Sequence, residues 1–223
     1  MCGYFANLTP TKEIIEVSNQ LNLQLPNEPA RAYQRQNFNA LITKDNEQIE
    51  AQQAMWWYAL KFEHNEFKVD NRITSFNARD LNKPLWKDAF ELRRGLVFAT
   101  EIGEGQTTGK HNQQYLMQSK TGFALGCVYQ NWYHPIDSTL MRSFAVITRE
   151  PNPKYAQYHK KSTPIFLPLE AEVLDKWLSP EPLDDSLNRY TEQAVLTCDF
   201  EVMPVQTYQQ MESLLPGFEM LRD

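Results

Sequence analysis

The sequence predicts an α+β fold with a mainly antiparallel β core, and two observations carry that expectation. Strand-like apolar runs follow one another through short polar turns, without strict alternation with helices. They are "NFNALITK", "IEAQQAMWWYAL", "GLVFATEI", "QYLMQS", "FALGCVYQNWY", "SFAVITRE" and "VLTCDFEVMPV". No Pro/Gly/Ser-rich linker divides the 223 residues, so a single domain over residues 1–223 is the economical reading.

Each element has a local reason. "TPTKEIIEVSNQLNL" predicts a short helix with Thr9 as cap, Pro10 as its first residue, and Ile14, Val17 and Leu21 on one face. "LPNEPA" breaks the chain into a loop, and the next two strands join through the polar turn "DNEQ". "VDNRITSFNAR" predicts a strand running out into a loop. "NKPLWKDAFELRRG" predicts the clearest helix, capped by Asn82, with Leu85, Trp86, Ala89 and Phe90 on one face and Gly95 as its stop. Four strand-like runs follow, then a helix over "LPLEAEVLDKWLS" and a late strand.

Composition excludes several function classes. Cys2, Cys127 and Cys198 are odd in number and lack paired metal-ligand spacing, so neither a disulfide framework nor a cysteine zinc site is expected. Cys127 and Cys198 lie in strand-like apolar runs, where packing is their default role. The formal charge of −6 does not advertise a nucleic-acid binder, because phosphate contacts need lysine and arginine. Any such site would be a local patch, with candidates at Arg31 and Arg35, Arg79, Arg93 and Arg94, and Lys160 and Lys161. The opening residues lack a basic segment followed by an apolar run, and no stretch reaches the length of a membrane span. The expected compartment is the cytoplasm, with no membrane partner and no cofactor.

"MCGYF" raises a chemical possibility of its own. Removal of Met1 would give Cys2 a free α-amine beside a free thiol, a pair that no internal residue offers. The amine titrates near ~8 and the thiol near ~8.5, so both are partly available at neutral pH. Three further stretches stand out. "SFNAR" places Asn77 and Arg79 at a strand end, where alternation puts them on one face. "EIGEG" leaves Glu104 between two glycines just past a buried strand. "YHKKSTP" sets His159 in a polar loop before an apolar strand. Singly, each has an ordinary explanation: a turn asparagine, a solvated loop-tip glutamate and a structural histidine.

As an ordered set they resemble a family. "MCG", "MWWY", "FNAR", "KPLW", "GLVFATEIGEG", "FAVITREPN", "YHKKSTPIFLP" and "VLDKWL" are similar to the SOS-response-associated peptidase (SRAP) family over residues 1 to about 205. The resemblance implies a barrel-like SRAP domain flanked by short helices, acting on abasic sites in single-stranded DNA as a monomer. It implies crosslinking or lyase chemistry, with peptidase activity removing Met1. Cys2 matches the crosslinking nucleophile, Asn77 the asparagine of "NAR", Glu104 the glutamate after the central strand, and His159 the histidine of "H-x-R-M-P". Arg79 would hold a phosphate, and Tyr4, Trp56 and Trp57 could offer stacking surfaces to DNA.

The chain also departs from the family pattern. Tyr4 stands where the family's "MCGR" has a DNA-contacting arginine, and "RYN-x-AP" is hardly recognisable in "RAYQRQNF". Trp57 replaces the glycine of "WG", and the aromatic-rich "GW-x-EW" has become "EIGEG". The crosslinking set survives better than the DNA-contacting set. In the implied chemistry, the amine attacks the opened sugar's aldehyde and the thiol closes a five-membered thiazolidine. Glu104 would move protons, and His159 would protonate or polarise the departing sugar oxygen within its ordinary titration range. Asn77 would hydrogen-bond the amine or the sugar. Two other readings stay open. One is an N-terminal-nucleophile glutamine amidotransferase, which also begins with "MCG" but has an "RGPD"-like loop absent here. The other is a non-catalytic binder of single-stranded DNA or protein.

Overall fold

Two long strands set the architecture of the protein, a computed structural model that describes residues 3–109, 111–208 and 219–222. In chain order the elements begin with β1 (Tyr4–Asn7), α1 (Lys12–Gln20), β2 (Ala30–Tyr33), β3 (Asn37–Asp45) and β4 (Gln48–Trp56). Then come β5 (Leu60–Glu63), β6 (Glu66–Val69), β7 (Asn77–Ala78), α2 (Lys87–Leu92), β8 (Arg94–Thr108), β9 (His111–Tyr133) and β10 (Leu140–Arg149). The chain finishes with β11 (Thr163–Pro164), β12 (Phe166–Leu167), α3 (Ala171–Leu178), α4 (Asp185–Glu192), β13 (Phe200–Val205) and β14 (Glu219–Leu221).

β8 and β9 form one long antiparallel ribbon that bends where its register shifts. Ala99 pairs with Phe123 but Glu101 with Gln118, so a two-residue step on β8 spans five on β9. Such a bulge sharpens strand twist and bends the sheet. It carries Gly122 at φ +72, directly under α1, where a Cβ would lie 2.5 Å from Ile14 Cδ1. Closure follows from five joins: β9 with β10, β10 with β4, β4 with β3, β3 with β8 through Ile42 and Leu96, and β8 back to β9. The result is an α+β fold around a ring-like sheet, mostly antiparallel, as the sequence predicts. β1 and β2 extend it beside β8, and β13 and β14 beside β9.

Alternation along the strands separates two apolar regions. One side gathers Phe5, Leu41, Trp56, Val97, Leu125, Cys127 and Phe144. The other gathers Ile42, Leu96, Phe98, Val128 and Ile147 with the helix residues Ile14, Val17, Leu174, Trp177 and Leu187. Trp177 fixes α3 by donating its Nε1 hydrogen to the Gly95 carbonyl at 2.9 Å. Among the described residues, no helix is long and apolar enough to cross a membrane.

Several local expectations need correction. Thr11, not Thr9, caps α1, its Oγ accepting from Ile14 N at 3.3 Å. α2 is shorter than its sequence pattern and starts after Trp86 without a side-chain cap. Gly95 does not stop it but lies inside β8, within 3.0 Å of the Ile42 carbonyl for any added Cβ. "QYLMQS" and "FALGCVYQNWY" are one strand, because the polar residues between them form the bulge and not a turn. "DNEQ" is a tight turn as expected, with Asn46 and Glu47 both at positive φ.

The three aromatic rings assigned to DNA are interior. Tyr4 and Trp56 are fully buried and Trp57 is 2% exposed. Trp56 donates to the Phe76 carbonyl at 2.9 Å and packs on Phe5 with ring centres 4.7 Å apart. Trp57 donates to the Asp70 carbonyl at 3.3 Å. Tyr4 donates its hydroxyl hydrogen to Glu101, and burial raises its pKa. A ring without an accessible face cannot stack on a base, so none of the three is a stacking surface. Trp56→Ala should therefore cost about 3–5 kcal/mol in urea unfolding, as for a buried aromatic, whereas an exposed ring would cost under ~0.5 kcal/mol.

Candidate functional site

The second half of β8 carries the site. Tyr4 pairs with Gly103 and Phe5 with Ile102, so the same register taken one step back sets Gly3 opposite Glu104. Gly3 N donates to the Gly103 carbonyl at 3.4 Å. Glu104 lies within the strand and is fully buried, so the loop-tip reading of "EIGEG" is corrected. Two residues along the pleat from Ile102, it turns toward the same interior.

A short 3-10 turn, Tyr155–Gln157, brings Glu104 its neighbours. Asn152 opens that turn, its Oδ1 accepting from Lys154 N at 2.9 Å and Tyr155 N at 3.4 Å. The fully buried Tyr155 donates its hydroxyl hydrogen to Glu104 Oε1 at 3.1 Å. The Tyr155 carbonyl accepts from His159 N at 3.1 Å, which places the imidazole. His159 Nδ1 donates to the Gly105 carbonyl at 2.7 Å and stands 3.7 Å from Glu104 Oε2. With Nδ1 as donor, Nε2 keeps the lone pair.

Burial moves both groups toward their neutral forms. Desolvation pushes the Glu104 carboxyl up to about 7 against the opposing effect of the Tyr155 hydrogen bond. Desolvation, aided by the charges of Lys161 and Arg79, lowers His159 to about 4, although its bond to Gly105 opposes this. His159 is thus neutral at neutral pH and acts as a hydrogen-bond acceptor at Nε2. The expectation that its ordinary titration range suits proton donation is corrected. Glu104 is the group poised to give and take a proton near pH 7.

The pair adjoins a pocket of about 370 Å³ whose walls include Gly3, Gln34, Phe76, Gln106, His159 and Lys161. Asn77 follows Phe76, and both polar atoms of its side chain are buried without a hydrogen-bond partner among the described residues. Arg79 is exposed and paired with Glu150 at 2.8 Å. β7 ends at Ala78, so the strand alternation expected to put Asn77 and Arg79 on one face does not extend that far. Cys2 lies outside the described residues. Among the described residues, no group of three His, Cys, Asp or Glu side chains gathers that could hold a metal ion.

Comparison with known proteins fits this arrangement to a family. The pattern of the family described as "SOS response associated peptidase (SRAP)" matches residues 1–209. The chain belongs to the SRAP family. Membership sets it among proteins associated with the SOS response and described as peptidases. No curated protein matches it. Solved structures share the fold. A Bacteroides thetaiotaomicron protein is 16% identical, with TM-score 0.66, over 92% of this chain and 93% of that one. A Bordetella bronchiseptica protein is 13% identical, with TM-score 0.68, over 92% and 100% of the two chains. A phage-related protein from the same organism is 17% identical, with TM-score 0.65, over 92% and 95%.

Within the SRAP fold, the two glycines of "EIGEG" leave room that other side chains use. Tyr208 lies over Gly103, where a Cβ would come within 2.6 Å of its ring. Asn112 lies beside Gly105, with its Oδ1 3.3 Å from such a Cβ. Sequence reasoning missed Tyr155 and Tyr208. Tyr155 stands four residues before His159, a spacing that one helical turn brings together. No sequence signal marked Tyr208.

The shifted carboxyl has a consequence for stability. The native state holds the Glu104 proton more tightly than the unfolded chain does. Its contribution is complete below about pH 4.5 and is lost as pH rises through about 7. Glu104→Gln, which stays neutral, should melt a few degrees above the parent protein at pH 8. The gain should vanish by pH 4.5, as read by thermal unfolding across that range.

Proposed function

We propose that the protein joins covalently to abasic sites in single-stranded DNA through Cys2, after SRAP-type removal of Met1. The observation that supports this reading is the buried Glu104–His159 pair beside Gly3, 3.7 Å apart at the edge of a pocket. The peptide bond to Gly3 keeps the Cα of residue 2 within about 3.8 Å of the Gly3 Cα. Any amine and thiol carried there act next to a carboxyl that titrates near neutrality.

The chemistry balances without an oxidant or reductant. The α-amine nitrogen adds to the aldehyde carbon of the opened sugar, and the carbonyl oxygen leaves as water, giving an imine. The thiol sulfur then bonds to that carbon and its proton passes to nitrogen, closing the thiazolidine. Glu104 delivers the proton that departs with water and removes the proton of the attacking group. His159 accepts a hydrogen bond at Nε2 and so orients a sugar hydroxyl or the water. Asn77 supplies both a donor and an acceptor without a change of charge. Arg79 exchanges its exposed partner Glu150 for a phosphate. The protein acts in this reading as a cytoplasmic monomer.

Intact mass first checks that the chain begins at Cys2. Such protein, mixed with an abasic single strand, should give an adduct that survives denaturation without borohydride. Cys2→Ser should give an imine trapped mainly by added reductant, and Glu104→Gln should slow adduct formation by about 10²–10⁴-fold. Ammonia released from glutamine would point to an amidotransferase instead. No adduct from correctly processed protein would overturn the crosslinking reading.

Affinity for an intact single strand should be low and steeply salt-dependent, since the formal charge is −6 and the phosphate contacts are local. Arg79→Ala should lower it further and flatten the salt slope by about one contact. An unchanged affinity, measured by titration at two salt concentrations, would remove Arg79 from the DNA contacts.

A further inference from the structure

We propose that Tyr208 is the aromatic wall of the pocket, on which a nucleobase next to the reacting sugar stacks. The proposal deepens the abasic-DNA reading and rests on it for the identity of the ligand. Tyr208 is part-exposed and lines the same pocket as Gly3 and His159. Its ring is held from behind: it stacks on the buried Tyr4 with ring centres 5.4 Å apart and planes 14° from parallel. The Tyr33 hydroxyl donates to the Tyr208 carbonyl at 3.4 Å, which fixes the backbone. Beneath the ring lies Gly103, where a Cβ would come within 2.6–2.9 Å of three ring atoms. A side chain at position 103 would therefore displace the ring.

The rest of the wall complements this surface. Lys160 and Lys161 supply positive charge for phosphates, and Asn112 lines the same pocket with a polar amide. Tyr4, Trp56 and Trp57 are buried and cannot take the stacking role. A flat ring fixed by another ring behind it presents its surface at little entropic cost, which is what base stacking in single strands requires.

The test uses a single strand with a tetrahydrofuran residue, an abasic analogue that cannot open to an aldehyde, beside the fluorescent base 2-aminopurine. The unaltered protein and Tyr208→Phe should quench the fluorophore on binding. Tyr208→Leu, which keeps apolar bulk without a π-face, should lose the quench and bind about 5- to 20-fold more weakly. When the flanking bases are replaced by abasic spacers, Tyr208→Leu should bind as well as the parent. No quench by the unaltered protein, unchanged affinity of Tyr208→Leu, or an equal loss on the base-free strand would each overturn the proposal. Failure of the covalent reaction on a true abasic strand, with quench intact, would overturn the crosslinking reading alone.

Discussion

The bulge in the β8–β9 ribbon is the constraint on which the rest of the molecule depends. A flat antiparallel pair of this length cannot meet β3, β4 and β10 to close a ring. The extra residues of β9 between Gln118 and Phe123 bend it, and the bend is locked from outside. Thr11 donates its hydroxyl hydrogen to the Thr121 carbonyl at 2.6 Å, and Ile14 covers Gly122. A side chain at Gly122 would meet both the strained φ and the α1 surface. Beyond the bend, β8 turns to pair with β1, and this brings the first described residue beside Glu104.

The chemistry of the site follows from its place at the end of that interior. Glu104 continues the row of inward side chains that begins with apolar residues, so it inherits their dryness. A dry carboxyl is neutral more readily, and a dry imidazole is harder to protonate. The two shifts oppose each other on the pH scale, toward about 7 for Glu104 and about 4 for His159. Between those values, both groups are mostly uncharged. Environments that move two neighbours apart in this way assign a proton carrier and an acceptor without any change in the residues themselves.

Much of the fold was legible in the sequence where periodicity was local. α1 and α3 follow from apolar spacing, and β3, β4 and β10 from alternation around clear turns. The unity of β9 was not legible, because "QSKTG" looks like a turn and only the partner strand makes it a bulge. The hairpin of β5 and β6 was missed because its turn residues, His64 and Asn65, are not a typical pair for positive φ. At the site, the residue types of Asn77, Glu104 and His159 were visible but their environments were not. Two glycines around Glu104 suggested solvent, whereas in the fold Gly103 marks a close approach by the distant Tyr208 and Gly105 one by Asn112 across the β8–β9 ribbon. Tyr4 suggested a surface residue because its partners, Tyr33, Glu101 and Tyr208, are all far along the chain.

The join between β4 and β10 bears on how the molecule assembles. It is the parallel join of the ring, and it brings Ala54 to Arg142 and Trp56 to Phe144, across a long stretch of intervening chain. The β8–β9 ribbon and the β3–β4 hairpin each pair near neighbours in sequence, which closes small loops early. The parallel seam joins residues far apart in sequence and so closes a much longer loop than either. β7 pairs with the same edge of β10, through Asn77 and Val146, so the segment bearing Asn77 is stitched in together with that seam. The surroundings of Glu104 and His159 are therefore assembled from strands and turns distant in sequence. In the unfolded chain both groups stand in water with ordinary proton affinities, and their shifted values belong to the closed sheet alone.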